Sequence, residues 1–328
     1  MEIYKKQEAE PNISILMAVY NPRMDWLRAQ LQSLNAQTYP KLRLYIRDDC
    51  STNVCAAEIE QAAEESVTAF PYTLTRNETN LGSNATFELL TREAEGECFA
   101  YCDQDDIWLP EKLSVLQDEM QRTEALLVCS DMYVIDGEGR RTADSITKVR
   151  RHHVFHSGEG LAQGLLFRNF VTGCTMLVNA RAAKSAVPFC PYMVHDHYIA
   201  LWCAEHGKVV TVPRPLIQYR IHGGNQTGVL MGVTDKKSYE KTRIRVALDK
   251  ITWLEENFAC GPELHKTILD GTTWMRARQR SWNHLGGEKL VWKYRRFSPL
   301  SSVAEIVMKN FPDKLFAKAI CLAQKNQV

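Results

Sequence analysis

Nowhere in the chain do 18 consecutive apolar residues occur, so the pattern of an ordinary membrane-spanning helix is missing. The first eleven residues, Met1 to Pro11, are polar and charged and lack the apolar stretch of a signal peptide. Ten cysteines are scattered without a Cys-x-x-Cys pair, which removes the usual spacing of a zinc site, and they are too sparse for a secreted disulfide scaffold. Charge of one sign is also lacking. With 40 Lys and Arg against 39 Asp and Glu the net charge is +1, and no global field points to nucleic acid. These absences lead us to expect a cytoplasmic protein, in solution or peripheral on the inner face of the plasma membrane. Its 328 residues, 45% of them hydrophobic, suffice for a substantial core.

What is present begins with Ile13-Ser14-Ile15-Leu16-Met17-Ala18-Val19, a nearly continuous apolar run of the kind found in a parallel strand covered on both faces. Pro22 stops it, and Leu27, Leu31 and Leu34 then recur at helical spacing before a second strand, Leu42 to Ile46, runs into Asp48-Asp49. The alternation repeats: helix Ala56 to Ser66, strand Tyr72 to Thr75, loop Asn77 to Gly82, helix Ser83 to Ala94, strand Cys98 to Cys102. Such a succession predicts an α/β fold with a mostly parallel sheet, whose ligands gather at the carboxyl ends of the strands. Tyr20-Asn21, Asp48-Asp49 and Asp103 to Asp106 all fall on that edge. Further along, a strand is expected near Thr175 to Val178, a helix over His197 to His206, and two short strands at Val209 to Val212 and Leu216 to Tyr219.

From about Asp235 the pattern becomes helical and basic, with Trp253, Trp274, Trp282 and Trp292. Residues 235–328 carry 18 Lys and Arg against 10 Asp and Glu. We therefore expect an N-terminal extension over 1–11, a catalytic domain over 12–230 and a separate helical module over 231–328. Basic helices bearing Trp and Phe suit either an anionic membrane surface or packing on a protein.

Asp103, Asp105 and Asp106 crowd three carboxylates into four residues after an apolar strand, and their repulsion is relieved by a cation. Oxygen donors of this kind suit Mg²⁺ or Mn²⁺. The competing explanation is helix capping by Asp106 ahead of Pro110. A second chemical candidate is Asp196, in His195-Asp196-His197 before an apolar helical stretch, where capping again competes with acid–base work. A metal cluster of His195, Asp196 and His197 is disfavoured, since adjacent residues at a helix start point in different directions. A third is the glycine-rich loop Tyr219 to Gly228, which contains Arg220 and His222.

The succession Ile15 to Asn21, Leu34 to Pro40, Asp48-Asp49-Cys50-Ser51-Thr52, Asn80-Leu81-Gly82 and Asp103-Gln104-Asp105-Asp106-Ile107-Trp108-Leu109-Pro110 resembles the family 2 glycosyltransferases of GT-A fold over about residues 12–225. The acidic stretch is most similar to that of bacterial rhamnosyltransferase-type enzymes. The resemblance implies a nucleotide-diphospho-sugar transferase that inverts the sugar it moves. It places Ala18, Tyr20 and Asn21 beside the nucleotide base and Asp49 on the imide of a pyrimidine, a contact that does not separate uracil from thymine. Asn80 and Gly82 match a further donor-side loop. Asp103 and Asp105 match the family's Asp-x-Asp element, with Asp103 on the donor, and the metal ligand is Asp105 or Asp106, a choice left open. His222 is implied as a metal-side ligand, Arg220 as a phosphate partner, and Asp196 as the base that takes a proton from the acceptor hydroxyl, with His195 where the family usually has glutamate. Thr172-Gly173-Cys174 resembles the acceptor-side turn. The implied donor is a UDP- or dTDP-sugar and the acceptor a glycan or lipid-linked glycan.

Two rivals remain at this point. A sugar nucleotidyltransferase would need a glycine-rich phosphate loop where Tyr20-Asn21-Pro22-Arg23 stands. An inactive sugar-nucleotide-binding or scaffolding protein has no use for both the acidic run and Asp196.

Overall fold

The structure, a computed structural model, describes residues 13–150, 153–222, 230 and 232–325. The expected N-terminal extension over 1–11 and the loop positions 223–228 lie outside them. The first half alternates β1 (Ile13–Val19), α1 (Met24–Asn35), β2 (Leu42–Asp48), α2 (Ala56–Ser66), β3 (Tyr72–Arg76), α3 (Ser83–Glu93) and β4 (Cys98–Cys102). Strands β3, β2, β1 and β4 lie parallel in that order. The apolar runs of β1 and β4 are explained by cover on both faces. In β1, Leu16 joins the cluster containing Phe87 of α3, while Ile15 and Met17 join the cluster containing Leu27 and Leu31 of α1.

Beyond β4 the sheet changes direction. After β5 (Ile107–Trp108) and α4 (Lys112–Thr123) come β6 (Leu127–Ile135) and β7 (Arg141–Ala143), then the single turns α5 (Ile146–Val149) and α6 (Ala162–Leu165). Strand β8 (Met176–Asn179), α7 (Ala180–Ser185), α8 (His195–His206) and β9 (Val209–Arg220) complete this half. Strand β8 is antiparallel to both β4 and β6, and β9 runs parallel to β6. The sheet is therefore parallel in its first half and mixed in its second.

Two expectations need correction. The strands expected at 209–212 and 216–219 are one bent strand, β9. Pro213 and Pro215 cannot donate to a ladder, and the β6–β9 register shifts opposite them instead of ending. Strand β6 was not anticipated at all, although it lies almost wholly in the interior. The polar pair Ser130-Asp131 breaks its apolar run.

The C-terminal helices are α9 (Lys236–Tyr239), continued by a wider π turn over Glu240–Arg245, then α10 (Val246–Asn257), α11 (Pro262–Trp282), α12 (Glu288–Lys293), α13 (Pro299–Met308) and α14 (Asp313–Lys325). Ile251, Leu254, Ile268 and Trp274 of α10 and α11 belong to the same buried cluster as Phe99 and Leu201. These two helices are thus packed into the core of the sheet domain, and a smaller cluster built on Ile244, Trp282 and Phe316 holds the remainder. No helix among the described residues is long and apolar enough to cross a membrane.

Candidate active site

The carboxyl ends of β1, β2 and β4 are laced together by side chains the chain supplies there. Asn21 holds a left-handed φ of 45°, which asparagine tolerates better than most residues, and its Oδ1 accepts from the N–H groups of Thr52 (2.7 Å) and Asn53 (3.1 Å). Gln104, between the aspartates, clasps the backbone of Tyr20, accepting from its N–H at 2.8 Å and donating to its carbonyl at 3.0 Å. Tyr20 keeps its ring 44% exposed at this edge, with Ala18 partly buried behind it.

Asp48 accepts from the N–H and hydroxyl of Ser51, and Arg76 pairs with its other oxygen at 2.7 Å. Asp49 is buried. Its Oδ1 accepts from Asn77 Nδ2 and the Leu81 N–H, and its Oδ2 from the Gly82 N–H, each at 2.8 Å. Three of about four lone-pair positions are thereby used to hold the loop containing Asn80, leaving one on Oδ2. Gly82 sits at φ +82° just before α3, a conformation that favours glycine. Replacing Asp49 by Ala strands the Leu81 and Gly82 donors, and a loss of about 1–3 kcal/mol of stability is expected. Chemical denaturation checks it; an unchanged midpoint would show that water replaces the carboxylate at no cost.

The four residues of the acidic loop do different things. Asp105 is partly exposed, and its Oδ2 lies 2.7 Å from Nε2 of His222 on the chain leaving β9. Trp26 of α1 backs His222, with ring centroids 4.8 Å apart. Asp106 is fully buried, accepts from the Arg220 N–H at 2.9 Å and leaves Oδ2 without a hydrogen-bond partner. Burial, then Asp105 and Asp103, push its pKa well up. Asp103 is likewise raised by burial, by Asp105 and by Asp196. Potential ligand atoms of Asp103, Asp106 and Cys174 fall within 4.8 Å of one another. Cys174, however, is held far up as a thiol by burial and by the nearby Asp106 and Asp103 charges. A neutral thiol suits a hard cation poorly, whereas Asp105 and His222 at the open rim suit Mn²⁺ or Mg²⁺. The residues present thus fit such an ion, with Asp105 on its side of the loop and Asp106 beneath.

Capping does not explain Asp106, because α4 starts only at Lys112, beyond β5. Arg220 backs the same loop. Its guanidinium is buried over Trp26, Nε donates to the Asp105 carbonyl at 2.7 Å and Nη1 to the Asp136 carbonyl at 3.0 Å. These bonds brace the acidic loop. Lys112 is a further buried group that the sequence pattern does not single out. It is fully buried, donates to the Cys174 carbonyl at 2.7 Å and lies 2.9 Å from the centre of the Trp108 ring. Burial lowers its pKa to about 7.

Asp196 faces this loop from the first turn of α8. Its Oδ2 accepts from the Gly173 N–H at 2.9 Å and Oδ1 from Asn169 Nδ2 at 3.1 Å, so its carboxylate reaches across to the Thr172-Gly173 turn. Burial raises its pKa to about 6 against those hydrogen bonds. Its charge is felt at Asp103. His195 and His197 diverge: the first packs against both Phe87 and Tyr101, the second meets the Leu165 carbonyl at 2.5 Å, and burial lowers both to about 3. They do not form a metal site with Asp196. Asn169 was missed, since no motif marks it; only its place just before the turn hinted at a role.

Gly173 is required by close approach. A Cβ there would stand 2.7 Å from His195 Nε2, so the imidazole, which packs on Phe87 and Tyr101, would have to shift. Gly173→Ala is expected to displace the start of α8 with Asp196, costing about 1–3 kcal/mol and lowering turnover. Thermal denaturation alongside kinetics checks this, and wild-type values for both would refute it.

Four parallel strands that give way to mixed ones, with an acidic loop at the seam and an opposed carboxylate, make the architecture of a GT-A glycosyltransferase. The profile described as glycosyl transferase family 2 matches residues 14–182, just over half of the chain, and the chain belongs to that family. It is similar to the UDP-Glc:alpha-D-GlcNAc-diphosphoundecaprenol beta-1,3-glucosyltransferase WfaP of Escherichia coli, at 24% identity over 65% of this chain and 78% of that one. Several other curated relatives are matched over about two thirds of their length or less. Among solved structures, Staphylococcus aureus TarS 1–349 in complex with UDP-GlcNAc superposes with a TM-score of 0.59 at 15% identity, over 95% of this chain and 89% of that one. The mannosyltransferase PcManGT of Pyrobaculum calidifontis, in complex with GDP-Man and Mn²⁺, gives 0.55 at 14% identity, over 95% and 80%. The chain thus belongs to glycosyl transferase family 2 and has the GT-A fold.

Proposed function

We propose that the chain moves a sugar, rhamnose from dTDP-rhamnose or a hexose from a UDP-sugar, onto a hydroxyl of a bacterial surface polysaccharide or its lipid-linked precursor, with inversion and with a divalent metal. The observation that carries this is the meeting of Asp105 and His222 at 2.7 Å on the edge that Asp196 faces. Residues 12–230 are the catalytic unit in this reading and 231–328 its helical partner.

Each side chain has a task. Tyr20 offers an exposed ring for the base, Ala18 and Asn21 shape the ledge beneath it, and the remaining lone pair of Asp49 accepts from a pyrimidine imide. Asn80 and Gly82 close that end through the loop Asp49 holds. Asp103, Asp105 and His222 hold Mn²⁺ or Mg²⁺ against the donor's diphosphate, and Asp106, buried with Arg220, fixes the loop. The ion supplies charge neutralisation for the leaving diphosphate. Asp196, already gripped by Gly173 and Asn169, takes the proton of the acceptor hydroxyl as its oxygen bonds to the anomeric carbon and the nucleoside diphosphate departs. Inversion and the choice of a pyrimidine rest on the family resemblance. UDP-Glc and a diphosphoundecaprenol-linked sugar in the name of the Escherichia coli relative, and UDP-GlcNAc and Mn²⁺ in the titles of the solved structures, support donor, acceptor and ion classes.

A thermal-shift panel of UDP- and dTDP-sugars, UDP and dTDP, each with and without Mn²⁺, tests it. Stabilisation that requires both nucleotide and Mn²⁺ is expected. A panel with no metal-dependent shift would remove the reading.

A further inference from the structure

Helix α13 is inside out. Its buried positions are Ser302, Glu305 and Lys309 at the helix end, while Leu300 is 78%, Val303 46% and Val307 50% exposed. The inward polar groups are fully occupied. Glu305 receives Arg278 through Nε at 2.8 Å and Nη2 at 2.5 Å, and Tyr239 donates to it at 2.9 Å. Lys309 donates to the Ser281 carbonyl at 3.0 Å and pairs with Glu288. A soluble helix normally turns its apolar stripe to the core and its charges to water. Here the core side is a salt-bridged polar network, and the apolar stripe is left outside with a cost that only an apolar neighbour removes.

The surroundings indicate which neighbour. Lys289, Lys293 and Arg295 follow one another along α12 and the turn after it, while Arg296 beside them is paired with Asp270 at 2.8 Å. Trp292, 53% exposed on the adjoining α12, lies under the Arg295 guanidinium at 4.4 Å. A half-exposed tryptophan among cations, next to an outward aliphatic stripe, matches the interface of an anionic bilayer, where rings lie at headgroup level and Lys and Arg meet lipid phosphates. A second copy is a worse match. A two-fold contact sets the same patch against itself and would bring these cations together. We infer that α12 and α13 dock the enzyme on an anionic lipid surface, with Leu300, Val303 and Val307 entering the acyl boundary and Lys293 and Arg295 on the headgroups. This deepens, and rests on, the reading of a lipid-linked acceptor.

Flotation of the full chain with vesicles tests it. Wild type is expected to float with equimolar phosphatidylglycerol and phosphatidylcholine at least about tenfold better than with phosphatidylcholine alone. The combined substitution Leu300→Ser, Val303→Ser, Val307→Ser, and separately Lys293→Glu with Arg295→Glu, each lower binding at least about tenfold with unchanged melting temperature. Wild type absent from both vesicle fractions, or a triple variant that floats like wild type, overturns the inference. So does a concentration-dependent dimer that the serine variant dissolves while no vesicle binding is seen. Mn²⁺-dependent UDP binding, measured on the same samples, reports on the catalytic reading separately. Its loss with flotation intact sinks that reading and leaves the lipid face, and the reverse pair of results sinks only the lipid face.

Discussion

Asp196→Asn is expected to lower the turnover number by about 10²- to 10⁴-fold while leaving Mn²⁺-dependent nucleotide binding near wild type, the range a positioned general base contributes. The amide keeps the shape of the carboxylate. It can still accept from Gly173 through its oxygen, so α8 keeps its start, but it cannot take a proton. The pH profile gives an independent sign. Burial raises the folded Asp196 pKa from the usual carboxylate value to about 6, so the active, ionised form prevails above that pH. Wild-type kcat/KM therefore falls as pH drops through about 6, and the residual activity of the variant lacks that limb. A variant with full turnover would remove Asp196 from the chemistry, and its hydrogen bonds to Gly173 and Asn169 would then be purely structural.

Substitution within the acidic loop separates two neighbours that look equivalent in sequence. Asp105→Asn is expected to lower kcat/KM by about 10²-fold or more, because several kcal/mol of charge stabilisation go with the ion. The fold should survive, since Arg220 holds the Asp105 backbone carbonyl and not its side chain. Asp106→Ala should act in the other order. It removes the acceptor of the buried Arg220 N–H, and a loss of about 1–3 kcal/mol in unfolding free energy is expected before any effect on metal affinity is considered. Denaturation and Mn²⁺ titration of both variants check this. Equal stability loss in the two, or metal binding lost only in the Asp106 variant, would reverse their roles.

The division between Asp105 and Asp106 could not have been read from Asp103-Gln104-Asp105-Asp106, because it depends on β9 arriving beside the loop. Only then does His222 meet one carboxylate and the Arg220 N–H the other. Strands β1 and β4 were legible because a parallel strand covered on both faces must be apolar nearly throughout. Strand β6 escaped notice because Ser130-Asp131 lies mid-strand, where Asp131 serves the Met132 and Ile146 N–H groups. Strand β9 looked like two because of its prolines. The helical pattern after about Asp235 was visible, yet periodicity reports that a face exists and not which way it turns. In α13 the buried Arg278–Glu305 pair decides that, and its partners are 27 residues apart in the chain.

The most direct test of the donor site is calorimetric titration of UDP and dTDP into wild type and Asp105→Asn, with and without Mn²⁺. Binding to wild type that requires Mn²⁺, and its loss in Asp105→Asn at unchanged melting temperature, is the expected result. Nucleotide affinity indifferent to Mn²⁺, or equal in the two proteins, would contradict a metal-held diphosphate at Asp105 and His222.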